Sequence, residues 1–452
     1  MCAKLDNSGQ SKDAGPFGRL VIFAPNSAIM LQVNHIRQYT ALVKERLAVK
    51  YFSEPSLVEE VLARDDERKR VQQATDELLA RRNQASKEIG GLMASGKRTE
   101  AEALKAEVTA LKDRIEENEK TLLALETTVR EMLQRIPNLP YKDVPVGRTP
   151  EDNIVVRSEG SVPELHSAAK PHWDLIKDYD LVDFETGAKL TGSGFPLYKG
   201  KGARLQRALI QYFLDYNTEA GYTEFIPPYL VNEASAYGTG QLPDKEGQMY
   251  HMTEDNLYLI PTAEVPVTNI YRDVILKASD LPVRMTAHSP CFRREAGSFG
   301  KDVRGLNRVH QFDKVEIVEL VHPDTSYEVL ERMVSHVEGL VASLGLPYRI
   351  LRLCGGDMGF TSAMTYDFEI YSAAQQRWLE VSSVSNFESF QANRMKARFK
   401  DTDGKIHLLH TLNGSSLALP RIMAGLLENN QTTEGIMLPA VLHRYFGSDR
   451  IA

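Results

Sequence analysis

Residues 104–136 read LKAEVTALKDRIEENEKTLLALETTVREMLQRI. Leu104, Val108, Leu111, Ile115, Asn118, Leu122, Leu125, Val129, Met132 and Ile136 recur in alternating steps of four and three. On a helix that spacing lines up one apolar stripe with a single polar member, and such a stripe must be covered by a second helix. The partner lies upstream. No proline interrupts residues 57–136, where Ala, Glu, Lys, Arg, Gln and Leu dominate, all of them good helix formers. Leu57, Val61, Val71, Leu78, Ala85, Ile89 and Leu92 fall in a matching register, interrupted by Arg64, Arg68, Thr75 and Arg82. Gly90, Gly91 and the run Ala94-Ser95-Gly96-Lys97 offer the break between the two. The pattern predicts an antiparallel hairpin whose arms are each about 50 Å long at about 1.5 Å per residue.

A heptad rod is commonly a dimerisation coil or a rigid spacer. Its charge argues for something more specific, because residues 81–98 around the bend carry Arg81, Arg82, Lys87, Lys97 and Arg98 against Glu88 alone. A projecting rod with a cationic end suits contact with the phosphates of a long structured RNA. The chain as a whole is acidic, with 54 Lys and Arg against 61 Asp and Glu and a net charge of -7. Bulk positive charge therefore cannot carry nucleic-acid binding, and any contact must come from a local patch.

Outward from the hairpin, prolines at 137, 140, 145 and 150 mark a linker over 137–150. Short strands, helices and Gly/Pro turns follow, which predicts an α+β domain over 151–452. The helical unit begins near Met30, and residues 1–29, rich in Gly, Ser, Pro, Asn and Asp, read as a loose extension without signal- or transit-peptide pattern. An alternative translation start at Met30 is open. The length of 452 residues, 42% hydrophobic and 25% charged, fits two or three ordinary globular domains and excludes collagenous, disordered and disulfide-rich classes. No run approaches the roughly 18 apolar residues of a membrane span. Cys2, Cys291 and Cys354 form no Cys-x-x-Cys pair, so a disulfide framework and a structural zinc site both lack support, and a cytoplasmic location is expected.

Familiar phosphate and hydrolase motifs fail. The run from Gly194 to Gly202 has the wrong spacing for a P-loop, and no Gly-x-Gly-x-x-Gly, Gly-x-Ser-x-Gly or His-x-x-x-His is present. Polar residues inside strand-like apolar runs remain. Thr262 and Glu264 follow Leu257-Tyr-Leu-Ile, and Glu316 stands in Val315-Glu-Ile-Val-Glu-Leu. A carboxylate so placed needs a partner, either a nearby arginine or a ligand's ammonium group. Between them, Arg293, Arg294, Arg304 and Arg308, with Lys301 and the earlier Arg284, make a cationic strand-loop-strand suited to a polyanion.

Phe292-Arg293-Arg294-Glu295, the run Gly414 to Arg421 leading into a helix, and Pro227-Pro228 after a long amphipathic helix resemble motifs 2, 3 and 1 of class II aminoacyl-tRNA synthetases. With Thr262-Ala263-Glu264, the His310-to-Glu316 run, Glu380-Val381-Ser382-Ser383 and the hairpin, the chain resembles the seryl-tRNA synthetase family over roughly residues 30–450. The resemblance implies an antiparallel-sheet class II catalytic domain with an N-terminal coiled-coil arm, active as a homodimer through motif 1. It implies that Arg293 grips the ATP α-phosphate and the serine carboxylate, Glu295 the adenine amino group and Arg421 the γ-phosphate. Arg294, Val381 and Ser382 would join the ATP site, and Glu380 and Ser383 would carry Mg²⁺. Thr262, Ala263, Glu264, Glu316, Asn413 and Ser416 would surround the serine, and Arg81, Arg82, Lys87, Lys97 and Arg98 would meet tRNA(Ser). Arg293, Arg421 and Glu380 would be the catalytic set. Whether tRNA(Sec) is also accepted stays open, no zinc is expected, and the extension is foreign to the family pattern. The rival reading is a paralogue that activates an amino acid and loads a carrier protein; such proteins lack the long arm.

Overall fold

The structure, a computed structural model, describes residues 33–244, 247–295 and 304–452. The expectations for residues 1–29 and for a start at Met30 lie outside the described residues, as does Lys301. Two short helices, α1 (Val33–Gln38) and α2 (Thr40–Val49), precede the hairpin of α3 (Leu57–Ala94) and α4 (Arg98–Arg135). Each long helix has 38 residues, about 57 Å at the α-helical rise. The helix runs through Gly90 and Gly91 and breaks at Gly96, whose φ is +77°. There the Lys97 N–H reaches Leu92 O (3.0 Å) and the Gly96 N–H reaches Met93 O (3.3 Å). This is a Schellman closure, which needs a left-handed residue that glycine adopts without strain.

Leu111, Ile115, Leu122, Leu125 and Val129 are buried along α4, facing Leu57, Val61, Thr75 and Ala85 of α3. One register position differs from the expected seam. Arg64 is exposed and pairs with Glu67, while the neighbouring Asp65 is buried and bound by Arg37, Arg68 and Lys69, each at 2.9 Å. An α-helix of 3.6 residues per turn drifts against a strict 3.5 repeat, so a seam read by sevens slips to the adjacent residue.

The foot of the hairpin has its own small core of Ile36, Val43, Leu47, Leu57, Val58, Val61, Ile136 and Leu139. The segment that follows is docked rather than free. Asn138 Nδ2 donates to Thr361 O (2.9 Å) and Phe387 O (2.8 Å), and Lys50 Nζ donates to Gly359 O (2.7 Å) and Ser362 O (2.8 Å). Proline-rich sequence here directs an extended path across a surface, where its carbonyls and neighbouring side chains find fixed partners.

The rest of the chain is built on eight strands: β1 (Ile154–Glu159), β2 (Thr223–Glu224), β3 (Val283–Phe292), β4 (Gln311–Val321), β5 (Tyr348–Arg352), β6 (Met364–Ser372), β7 (Arg377–Asn386) and β8 (His410–Ala418). Their order is β1-β5-β6-β7-β8-β4-β3-β2, antiparallel throughout except for β2 beside β3. Helices α5 (Gly200–Glu219), α6 (Ser326–Ser343) and α7 (Leu419–Asn429) supply the main core on one face. Their apolar stripes show why: Leu205, Leu209 and Phe213 repeat by four, as do Val329, Met333 and Val337. Two irregularities shape the other face, a register shift between Phe368 and Glu369 opposite β7 and one between Lys314 and Glu316 opposite β8. Such bulges turn successive side chains to new directions beside a site.

Candidate active site

A cleft of about 610 Å³ opens over this face, bounded by the segment 261–264, the ends of β3 and β4, the centres of β6, β7 and β8, and the first turn of α7. Strand alternation delivers its floor. In the register of the sheet Glu316 lies opposite Ser415, Ser385 opposite Asn413 and Asp367 opposite Ser383, and all six line the cleft.

At one end Glu316 is buried and its Oε2 is contacted by Lys314 Nζ and by Thr262 Oγ1 (3.2 Å). The partner expected for this carboxylate is thus a lysine two residues before it, on the same face of β4 by the period of two. That spacing was the available signal for Lys314. Thr262 Oγ1 in turn accepts the Glu264 N–H at 3.2 Å, and Gln391 Nε2 donates to Glu264 Oε1 at 2.7 Å. Burial, then the Glu316 carboxylate, push the Glu264 carboxyl up to about 7. Asn413 adds an Nδ2 that is buried without a hydrogen-bond partner among the described residues. Ala263 is wholly buried behind Thr262 and contributes no wall to the cleft.

Ser416 requires a correction. Its side chain faces away from the cleft and donates to Asn217 Oδ1 (2.9 Å) at the end of α5, on the helical side of the sheet. Ser415 is the serine that lines the cleft. Adjacent strand residues point to opposite faces, and the bulge opposite Lys314 sets which of the two serines faces in; the run Gly-Ser-Ser alone cannot say.

The middle of the cleft is cationic. Arg293 lies 5.4 Å from the Phe312 ring centroid, with Nε donating to Pro261 O (3.3 Å). Glu295 faces it from a left-handed backbone, φ +50°, and pairs with Arg308 at 3.0 Å. Arg294 does not join them: its guanidinium stands 5.9 Å from the Tyr250 ring centroid, and the side chain does not line the cleft. The two arginines lie just past the end of β3, where the Arg293 N–H meets His310 O and the Arg294 N–H meets Gln248 O, each at 2.9 Å, and only the first side chain lines the cleft.

Arg421 enters from the first turn of α7, where Pro420 costs no hydrogen bond. Its Nε donates to Asn307 O (2.9 Å) and its Nη1 to Glu380 O (2.8 Å), with Glu380 Oε2 at 3.7 Å. Val381 and Ser382 complete this wall, Ser382 Oγ donating to Ser415 O at 2.6 Å. Beside Glu380 and Ser383 stands Asp367, whose Oδ1 is buried without a hydrogen-bond partner among the described residues. Burial, then the Glu380 charge, raise its carboxyl well above the usual range. An orphaned carboxylate oxygen next to a second carboxylate and a hydroxyl is a donor set that fits a hard divalent cation. Among the described residues no three His, Cys, Asp or Glu side chains gather closely enough to hold a metal.

Far from the cleft, the tip cations are partly engaged within the arm. Arg81 binds Glu107 across the hairpin through two contacts (2.7 and 2.9 Å), and Lys97 pairs with Glu100 at 3.1 Å. Lys87 and Arg98 are exposed and Arg82 is half-buried. No described helix is long and apolar enough to cross a membrane.

The model of the seryl-tRNA synthetase N-terminal domain matches residues 30–140, and that of the tRNA synthetase class II core domain (G, H, P, S and T) matches residues 249–430. A serine--tRNA ligase of Salinibacter ruber is 50% identical over 424 residues, 93% of this chain and 99% of its own. One from Chlorobaculum parvum is 47% identical over 427 residues, 93% of this chain and 100% of its own. Among solved structures, a seryl-tRNA synthetase from Pyrococcus horikoshii complexed with ATP superposes with a TM-score of 0.88 at 34% identity, covering 94% of this chain and 99% of that one.

Proposed function

The chain belongs to the seryl-tRNA synthetase family, and from that premise we propose how its cleft carries out ATP-dependent ligation of L-serine to tRNA(Ser) through a seryl-adenylate. The observation that carries the reading is the arrangement of one continuous cleft, with Glu264 and Glu316 beside Thr262 at one end and arginines 293, 308 and 421 interleaved with Glu295, Asp367 and Glu380 along the rest. A zwitterion seated there puts its ammonium among Glu264, Glu316 and Thr262 and its carboxylate toward Arg293. Asn413 and Ser415 border the same end and are within the wall that would meet the serine hydroxyl.

In the first step a serine carboxylate oxygen attacks the α-phosphorus of ATP and pyrophosphate leaves. The attacking oxygen is already ionised, so the protein needs no base; Arg293 neutralises charge at the α-phosphate and Arg421 at the far phosphates. Glu295 accepts from the adenine amino group, with Phe312 beneath Arg293 offering an aromatic face. Glu380 and Ser383, with Asp367 beside them, would hold Mg²⁺, which when bound supplies positive charge to the phosphate oxygens. In the second step the terminal adenosine hydroxyl of the tRNA attacks the seryl carbonyl and AMP departs. The arm of α3 and α4 guides the tRNA body. A second copy covers Ile226, Tyr229 and Leu230, apolar residues that are 84%, 39% and 36% exposed beside the Pro227-Pro228 segment, and the dimer works in the cytoplasm.

Discrimination follows from the pocket's polarity. A site that bonds a substrate hydroxyl rejects the analogue lacking it by about 10⁴, whereas an added methyl is refused only about 10 to 200-fold. Alanine should therefore be excluded more strongly than threonine. The test is serine-dependent exchange of pyrophosphate into ATP, followed by acylation of total tRNA. Exchange and charging with serine are expected; exchange with a different amino acid only would overturn the substrate. Loading of a carrier protein has no support, since the long arm is present and the relatives are tRNA ligases along their whole length.

A further inference from the structure

Behind the cleft wall lies a buried pair that the reaction does not touch. His172 and Glu428, the latter on α7, are both fully buried. The Glu428 carboxylate receives the His172 N–H (2.8 Å), His172 Nδ1 (2.6 Å), Gln375 Nε2 (2.9 Å) and Ser372 Oγ. A carboxylate only accepts, so each contact assigns a proton. The imidazole proton sits on Nδ1 and leaves Nε2 as an acceptor, which takes the Leu306 N–H at 2.9 Å. By the same logic Gln375 turns its Oε1 to Asn307, whose Nδ2 donates to it at 2.9 Å. Both routes therefore end on Leu306 and Asn307, and Asn307 O is the carbonyl that holds Arg421 Nε.

The packing leaves this backbone little freedom. Gly305 has φ +65°, and a Cβ there would stand 2.4 Å from His172 Nε2, so the imidazole lies directly against the turn. Arg421 and Glu428 are seven residues apart on α7, two turns along one face. One helix thus carries both the guanidinium and the carboxylate that secures the guanidinium's anchor.

We propose that the His172–Glu428 pair is a positioning device for Arg421, fixing the Leu306–Asn307 backbone from behind so that the guanidinium is aimed at the ATP phosphates before they arrive. The inference rests on the reading of Arg421 as an ATP ligand. Preorganisation of this kind lowers the ordering cost at binding and acts on ATP rather than on serine, whose end of the cleft shares none of these contacts.

Conservative variants separate the two routes. In His172→Asn the amide nitrogen can replace Nδ1 toward Glu428 while the acceptor for Leu306 is lost; in His172→Gln the amide oxygen can replace Nε2. H172N should raise the KM for ATP in pyrophosphate exchange roughly tenfold and leave the KM for serine within about twofold, with H172Q recovering most of the loss. Gln375→Leu cuts the second route alone and should raise the ATP KM roughly threefold; because Gln375 is only half-buried, this variant reads the effect even if position 172 tolerates no change. Calorimetric titration of ATP into each protein measures binding without chemistry. If the unmodified protein binds ATP yet shows no serine-dependent exchange, the function is wrong and the binding constants still judge the device. Parallel losses for ATP and serine, or unchanged ATP binding in H172N and Q375L, would refute it.

Discussion

Glu264 shows what a single buried carboxyl does to a binding equilibrium. Below about pH 7 it holds a proton, and an ammonium brought beside it favours the ionised form. Serine binding must then expel that proton, so the apparent Kd should fall about tenfold per pH unit as pH rises toward 7 and flatten above it. Calorimetry across roughly pH 5.5 to 8.5 checks this; a flat profile would mean that Glu264 does not face the ammonium. Glu264→Gln should abolish the slope and weaken serine roughly tenfold to a hundredfold. Glu316 behaves differently because Lys314 already neutralises it. Replacing Glu316 by alanine leaves that lysine buried and unpaired, and should destabilise the domain by about 3 kcal/mol in denaturant unfolding; a loss below 1 kcal/mol, roughly, would show that Lys314 finds water instead. The residue types at these positions were legible in the sequence. Their partners were not, since Gln391 lies 127 residues from Glu264 and meets it only across the fold.

At the scale of elements, the hairpin was legible because its information is local: a heptad stripe and a glycine turn need no distant contact to be recognised. Its foot is another matter. Residues 57–61 and 136–139 share a core with α1 and α2, so excising the entire hairpin would damage the base on which the cleft loop 359–362 also leans. Removing the distal part, residues 76–110 with a short glycine joint, should spare pyrophosphate exchange to within about twofold and reduce tRNA charging at least a hundredfold, roughly the loss of several phosphate contacts. Charging that survives would place the tRNA contact elsewhere. The Arg81–Glu107 pair cautions against reading every tip cation as a phosphate ligand. It is a partly exposed cross-helix pair, and its replacement should leave the unfolding of the arm nearly unchanged.

For the whole molecule, Ile226 is the residue whose exposure most demands cover. Ile226→Asp should convert a species of about twice 50.7 kDa into one of 50.7 kDa in sedimentation, with loss of exchange activity if the second copy supports the cleft. An unmodified chain that sediments as a monomer would refute the dimer. The sequence by itself determined the kinds of parts: a rod with a basic bend, an α+β domain, and clusters whose residue types match phosphate and ammonium, while the adenine contact was implied by family resemblance alone. Those are properties of periodicity and short-range spacing. The tertiary structure alone decided which face each residue occupies and what stands opposite: Ser415 rather than Ser416 in the cleft, Arg293 without Arg294, Lys314 as the partner of Glu316, and Asp367 beside Glu380. Within the sheet facing is set by strand register and by two bulges, and past the end of β3 by what the loop backbone meets; both depend on pairing between segments far apart in the chain, which no local pattern encodes.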